Sequence, residues 1–329
     1  MLRCLLVIFL VGTGVCFGQD LPDNAADALK AYEDLREGYK HSSTKQFSKT
    51  EQLALDDWCH AMQKKFPDSY ESHFAWYLND HFKDDAQADL FKAYEKAPKN
   101  KEVVKAVFAH YMKIEDYGKA KGLLSSVSSY YSANTLGYYK DAIPAAGGIF
   151  VSGNREAIPI YINQLKAGTQ KDVLIINMDF LINDTYRKRM SSYLGIGDVS
   201  FFGSESAYVK KAMNQNSKIH LSSTVSQNYM SGNEENVFLT GLSYQSQPAS
   251  QIVELEAFWN KVSKKNFLNM SLSYSDKKLY TNYLPPLLTL YRLQLLRGSK
   301  NEVLKKAILI LAEKVEQTKK VNTILNDYE

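Results

Sequence analysis

Ser152, Gly153 and Asn154, then Asn177 and Asp179, then Thr224, are the residues of this chain best placed by type and spacing to do chemistry. Each group follows a short apolar run that reads as a strand. In an open parallel sheet, ligands sit beyond the carboxyl ends of the strands. Short amides, hydroxyls and a carboxylate gathered there could hydrogen-bond a sugar or a peptide. The same residue types also cap loops and helix starts, so Asn177 and Asp179 admit a purely architectural reading. Asp179 and Glu156 could serve a hydrolase or transferase only if they lay ~5–10 Å apart, the range used by glycosidase pairs.

Other catalytic patterns are missing from the sequence. There is no G-x-S-x-G elbow, Walker loop or H-E-x-x-H, and neither Gly147-Gly148 nor Gly195-x-Gly197 makes a nucleotide fingerprint. The six histidines are scattered. His73 and His81 are two helical turns apart without the carboxylates of a metal site. Asp56-Asp57 and Asp84-Asp85 sit on helices, where adjacent side chains point apart. No enzyme, cofactor or metal is therefore expected.

The elements that must position the candidates follow from periodicity. GIFVSG (148–153) reads as a buried strand running into a turn, and EAIPIYINQLKAG (156–168) as a helix that tolerates Pro159 in its first turn. DVLIINMDFL (172–181) is apolar on both faces, the mark of a strand covered on both sides. NDTYRKRMSSYLG (183–195) is the next helix, and KIHLSSTV (218–225) and NVFLTGLSYQ (236–245) are two further strands. Strand–helix–strand succession implies parallel pairing. After Ala249 the chain reads as helical, ending in a helix–Gly–helix hairpin with Ser299 as the N-cap of its second helix.

Upstream, residues 20 to about 140 read as helices throughout. Ala86, Leu90, Ala93 and Pro98 have the spacing of the second helix of a tetratricopeptide unit. Adding the 34-residue repeat period carries Tyr77 to Tyr111, Ala86 to Ala120 and Leu90 to Leu124. Small residues let helices approach and large ones fill the groove between them. Stacked units of this kind leave a groove suited to protein partners. Tyr70, Tyr77 and Tyr111 are the groove candidates, with core packing as their alternative role.

The opening MLRCLLVIFLVGTGVCFGQD has a basic residue, an apolar run and small residues, the pattern of a secretory signal peptide cut after Gly18. A lipoprotein reading through Cys16 is weaker, because bulky Val15 stands where a small residue is wanted. Removal of the leader leaves Cys59 alone, so no internal disulfide is expected. No other segment approaches the ~20 apolar residues of a membrane span. The net charge of +4 comes without a clustered basic stripe, which argues against nucleic-acid binding.

The strands also carry a family resemblance. IFVSGNREAIPIYINQLKAGTQKDVLIINMDFL resembles the soluble C-terminal domain of O-mannosyltransferase-like multi-pass membrane proteins of outer-membrane-bearing bacteria. Gly153 and Pro159 fall on that family's glycine and proline, and Asp172, Val173, Asn177 and Leu181 on its second strand. Thr224, Val225, Gly241, Leu242 and Tyr244 match later segments, so that the likeness spans residues 148 to 315. The family's acidic cluster is replaced by Asn154-Arg155-Glu156, and its membrane-embedded part has no counterpart. The resemblance implies a fold and a compartment rather than glycosyl transfer.

Together these readings predict a mainly α protein with a central α/β module. Residues 1–18 form a signal peptide, 19–140 tetratricopeptide-like repeats, 141–248 a module with a small, largely parallel sheet, and 249–329 C-terminal helices. The expected function is that of an exported, non-catalytic scaffold in the periplasm, binding a protein partner through its repeats. The alternative is a glycan- or peptide-binding accessory of envelope glycosylation.

Overall fold

The structure is a computed structural model describing residues 21–39, 47–80, 83, 85–169, 171–197, 205–232, 234–265 and 267–328. The proposed leader, including Cys16, lies outside the described residues, as do His81 and Asp84. The fold is mainly α with a small mixed sheet.

Six helices open the chain: α1 (Ala25–Gly38), α2 (Lys49–Lys65), α3 (Tyr70–Asp80), α4 (Gln87–Lys96), α5 (Lys101–Lys113) and α6 (Tyr117–Ser128). Their starts are set by local chemistry. Ser48 caps α2 and its partner Glu51 returns a bond to the Ser48 amide, a complete capping box. Asn100 caps α5 by accepting from Glu102 and Val103 amides, just after the Pro98 stop. Ala86, Leu90 and Ala93 are buried, as is Ala120 at the 34-residue equivalent of Ala86. Leu55, Met62, Phe74, Leu90 and Val107 share a core formed by α1 to α5. The other face of α5, through Val104, Phe108 and Met112, joins a second core together with Ala120, Val127 and the sheet.

After α7 (Ala133–Ala142), the central module runs β1 (Gly147–Val151), α8 (Asn154–Ala167), β2 (Val173–Asn177), α9 (Asp184–Leu194), α10 (Glu205–Gln215) and β3 (Ile219–Ser222). The edge strands β4 (Val237–Leu239) and β5 (Ser243–Ser246) follow. The order is β2-β1-β3-β5-β4. β1 is parallel to β2 and β3, whereas β5 is antiparallel to β3 and β4. The stretch expected as one strand over 236–245 is thus a hairpin, turned at Thr240-Gly241-Leu242. A glycine at φ 143° permits that turn, and it converts a largely parallel sheet into a mixed one.

Because β1 leads outward to β2 and the chain then returns past it to β3, the order reverses between β1 and β3. Gly148, Phe150 and Ile176 face α9 and α10. A Cβ on Gly148 would lie 3.0 Å from Leu194, and the Phe150 and Tyr208 rings meet edge to face at 6.0 Å. The opposite face is covered by α8 and by α11 (Gln251–Val262). The remaining helices are α12 (Tyr274–Tyr280), α13 (Leu284–Leu296), α14 (Glu302–Lys314) and α15 (Thr318–Tyr328). Asn301, not Ser299, caps α14 by accepting from the Leu304 amide at 3.0 Å. An acceptor there falls on the N3 amide, which is out of reach from two residues earlier. Among the described residues, no helix is long and apolar enough to cross a membrane.

Candidate functional site

The order reversal at β1 creates a crevice at the carboxyl ends of β1, β2 and β3, where such sheets bind ligands. Ser152, Gly153, Asn154, Asn177 and Asp179 converge there. Asn177 is fully buried. Its Nδ2 donates to Asn154 Oδ1 at 2.7 Å, and its Oδ1 accepts from the Asp179 amide at 3.0 Å. The Asn177 amide donates to Tyr186 Oη at 3.0 Å. Asp179 Oδ2 accepts from the Asn154 amide at 3.3 Å, so its carboxylate sits on the first turn of α8. Gly153 offers no side chain to cap that helix, and a Cβ there would lie 2.2 Å from Asp179 Oδ2. Glycine is required because the Asp179 carboxylate occupies the space.

Glu156 is likewise buried, and its Oε2 accepts from the Ser152 amide at 3.0 Å. The two carboxylates therefore bind amides two residues apart, within about 7 Å along the chain. They are close enough to be a pair, but each is engaged by the main chain. Thr224 belongs to the other side of the crevice, and its Oγ1 is bonded to Ser222 Oγ at 2.8 Å. The Ser152, Asn154, Asn177 and Asp179 group is one network, which Thr224 does not join.

Sequence reasoning missed three further groups at this end of the sheet. Glu205 opens α10 and is buried. Burial raises the Tyr229 hydroxyl, and the charges of Glu205 and then Asp179 raise it further. Tyr138 on α7 is also buried. Its hydroxyl and that of Ser223 meet no hydrogen-bond geometry among the described residues, although Ser223 and Asn282 approach the Tyr138 ring oxygen. No spacing signal could have joined Tyr138 to Ser223, which are brought together only by the packing of α7 beside β3.

The repeats meet the module at a small cleft of about 70 Å³, whose lining includes Tyr77, His110, Lys113, Phe180, Asn183 and Arg189. Tyr77 is a core residue, and burial raises its hydroxyl, with the Asp179 charge adding to the effect. It is thus not available to a partner, because α3 is covered where the module closes over it. Its equivalent, Tyr111, is half-buried, packs against Phe91 at 5.8 Å and has Lys119 Nζ 5.4 Å from its ring centroid. Tyr70 is half-buried and accepts from Asn100 Nδ2 at 3.0 Å. Burial, with Lys113 and Lys119 assisting, lowers His110 to about 4.

His73 is buried and bonds Asp89 at 3.2 Å. Cys59 is buried, and burial chiefly raises its thiol, which suits a packed rather than a reactive cysteine. Among the described residues no group of three or more metal-ligating side chains occurs. No family model, characterised protein or solved structure matches the chain.

Proposed function

We propose that the chain is an exported, non-catalytic scaffold of the cell envelope that holds a protein partner on its helical repeats. The observation that carries this reading is the unburied apolar surface on the second unit. Phe91 and Tyr111 are half-buried beside one another, and Ile114, one turn beyond His110, is 44% exposed. Aromatic residues left partly exposed in a rigid helical array are suited to anchor a partner. The crevice carboxylates support the non-catalytic side of the reading, since Glu156 and Asp179 both accept from backbone amides. The periplasm is the compartment proposed from the opening residues.

A photo-crosslinking residue at Tyr111, introduced in cells, tests the scaffold. A discrete adduct is expected that disappears when Phe91→Asp is added and that is not formed from Lys306 on α14. Adducts that ignore Phe91→Asp, or no adduct at all, contradict the scaffold reading.

A second reading rests on the Tyr138 and Ser223 hydroxyls, which are buried without partners at the crevice. Hydroxyls of this kind could receive a glycan or a peptide, and the resemblance to the O-mannosyltransferase-like domain favours the same role. Calorimetric titration with envelope oligosaccharides should then give heat that Tyr138→Phe reduces. No heat with the wild-type chain removes this alternative.

A further inference from the structure

A polar floor lies on one face of the sheet, under a helical roof. His220 and Gln245 are directly opposite one another on β3 and β5, and Ser243 lies on the same face one pleat from Gln245. A sheet face covered by helices is normally apolar. Here the face changes character between neighbouring strands, since the β1 partner of His220 is Ile149, fully buried. Above the polar strands α8 and α11 do not meet, and the gap is a cavity of about 660 Å³. That volume falls within the ~300–1,000 Å³ typical of small-molecule sites.

The charged groups of this cavity are already engaged by the protein. Lys261 Nζ donates to the carbonyls of Lys140, Asp141 and Ile143, at 3.2, 2.9 and 3.1 Å, at the end of α7. Asp141 accepts from Tyr283 Oη at 2.6 Å and pairs with Lys265 at 2.9 Å. What remains at the floor is neutral. His220 Nδ1 and Ser243 Oγ share a hydrogen bond of 3.1 Å, and burial lowers the imidazole to about 4, so it is uncharged at pH 7. A base that weak is poorly matched to abstracting a serine proton at neutral pH, which favours binding over hydrolysis. Gln245 Nε2 donates to the Ser217 carbonyl, which fixes the amide orientation. Its Oε1 is then a buried acceptor with no hydrogen-bond partner among the described residues. A buried acceptor left in this state costs free energy until a donor reaches it.

We propose that this cavity is a binding site for an uncharged amphipathic small molecule, whose apolar body lies against Phe258 and Leu242 and whose hydroxyl or N–H group donates to Gln245 Oε1. The site is separate from the crevice and from the repeat surface. It stands whether or not the scaffold reading does.

The probe is N-phenyl-1-naphthylamine, which is uncharged and carries one N–H on an apolar body. Its sulfonated analogue, 1-anilinonaphthalene-8-sulfonate, has the same rings and a fixed negative charge. Fluorescence titration of the full chain should show saturable one-to-one binding of the amine and at least about tenfold weaker binding of the sulfonate. Gln245→Leu should weaken the amine about five- to tenfold, the loss of one neutral hydrogen bond. Ala257→Trp, at an exposed position on the cavity wall, should abolish binding with an unchanged circular dichroism spectrum. Ala146→Trp, exposed on the α7–β1 side, repeats the test if the first variant does not fold. Absence of saturable binding, equal affinity for the sulfonate, or a folded tryptophan variant that binds normally overturns the proposal.

Discussion

The crevice and the cavity are both polar regions on one small sheet, but they differ in what their polar groups bind. At the carboxyl ends of β1 and β2, Asn154, Asn177, Asp179 and Glu156 bind one another or the main chain. Beneath the α8–α11 roof, the Gln245 acceptor is left without a donor among the described residues. The crevice residues, which look most like chemistry in sequence, therefore serve largely as caps and turn braces. The less conspicuous His220, Ser243 and Gln245 retain capacity for a ligand. Stability should thus depend on the crevice, and ligand response on the cavity.

The largest effect should come from placing a charge just beyond the polar floor. Ile149 is fully buried on β1, one strand from His220. Ile149→Asp should prevent soluble expression, because an unpaired buried carboxylate costs several kcal/mol, comparable with the stability of a domain. A soluble variant with a normal melt would mean that the cavity reaches under α8 and that the face has no dry half.

Acid should destabilise the native chain through two histidines, one in each core. His110 and His220 are lowered from 6.5 to about 4. Between those values the unfolded chain binds protons at both imidazoles and the native chain does not, so stability falls as pH falls through that window and is complete above about 6.5. The difference of about 2.5 units is worth roughly 3 kcal/mol per histidine at most. Urea titrations at pH 7 and pH 4.5 measure it, and His220→Gln should remove about half of the dependence. An unchanged slope in that variant would show that His220 does not remain neutral in the native state.

Asn177→Ala should cost about 2–3 kcal/mol, since it removes a buried side chain that both donates and accepts and leaves Asn154 and the Asp179 amide to find new partners. Thermal melting gives the value. A loss below about 0.5 kcal/mol would mean that water replaces the amide readily, and that the crevice is open to ligands after all.

The elements of the module were legible because β1, α8, β2 and α9 are separated by strong local signals. Gly168 and Gly195 end the two helices, and Asn183 starts α9 by accepting from the Tyr186 amide. The convergence of Ser152 to Asn154 with Asn177 and Asp179 followed from the parallel pairing of β1 and β2. The β4–β5 hairpin was hidden because the Thr240-Gly241-Leu242 turn interrupts an apolar run without a proline or a polar cluster. The cavity had a faint signal in the alternation of His220 with Ser222 and of Ser243 with Gln245, polar at every second residue. That pattern ordinarily means a solvated face, and only the positions of α8 and α11 turn it into the floor of a chamber. Tyr77 and Tyr111 share a repeat position, and their different burial depends on how the module packs against α3, a contact no repeat period encodes.

The smallest effect on stability should come from the residue that matters most to the proposed ligand. Replacing Gln245 by leucine loses the bond from Nε2 to the Ser217 carbonyl, a net loss of about 1 kcal/mol. It also removes Oε1, an acceptor that is buried without a donor and so already costs free energy in the native chain. Leucine adds apolar surface beside Leu242 and Phe258, which lies within reach of the hydrophobic gain expected for a partly buried side chain. These contributions oppose one another at similar size, so Gln245→Leu should melt within about 1 kcal/mol of wild type. Urea denaturation of the ligand-free chain checks this directly. A loss of several kcal/mol would place Gln245 among the residues that hold the fold, like Asn177, and would erase the contrast between the two polar regions of the sheet.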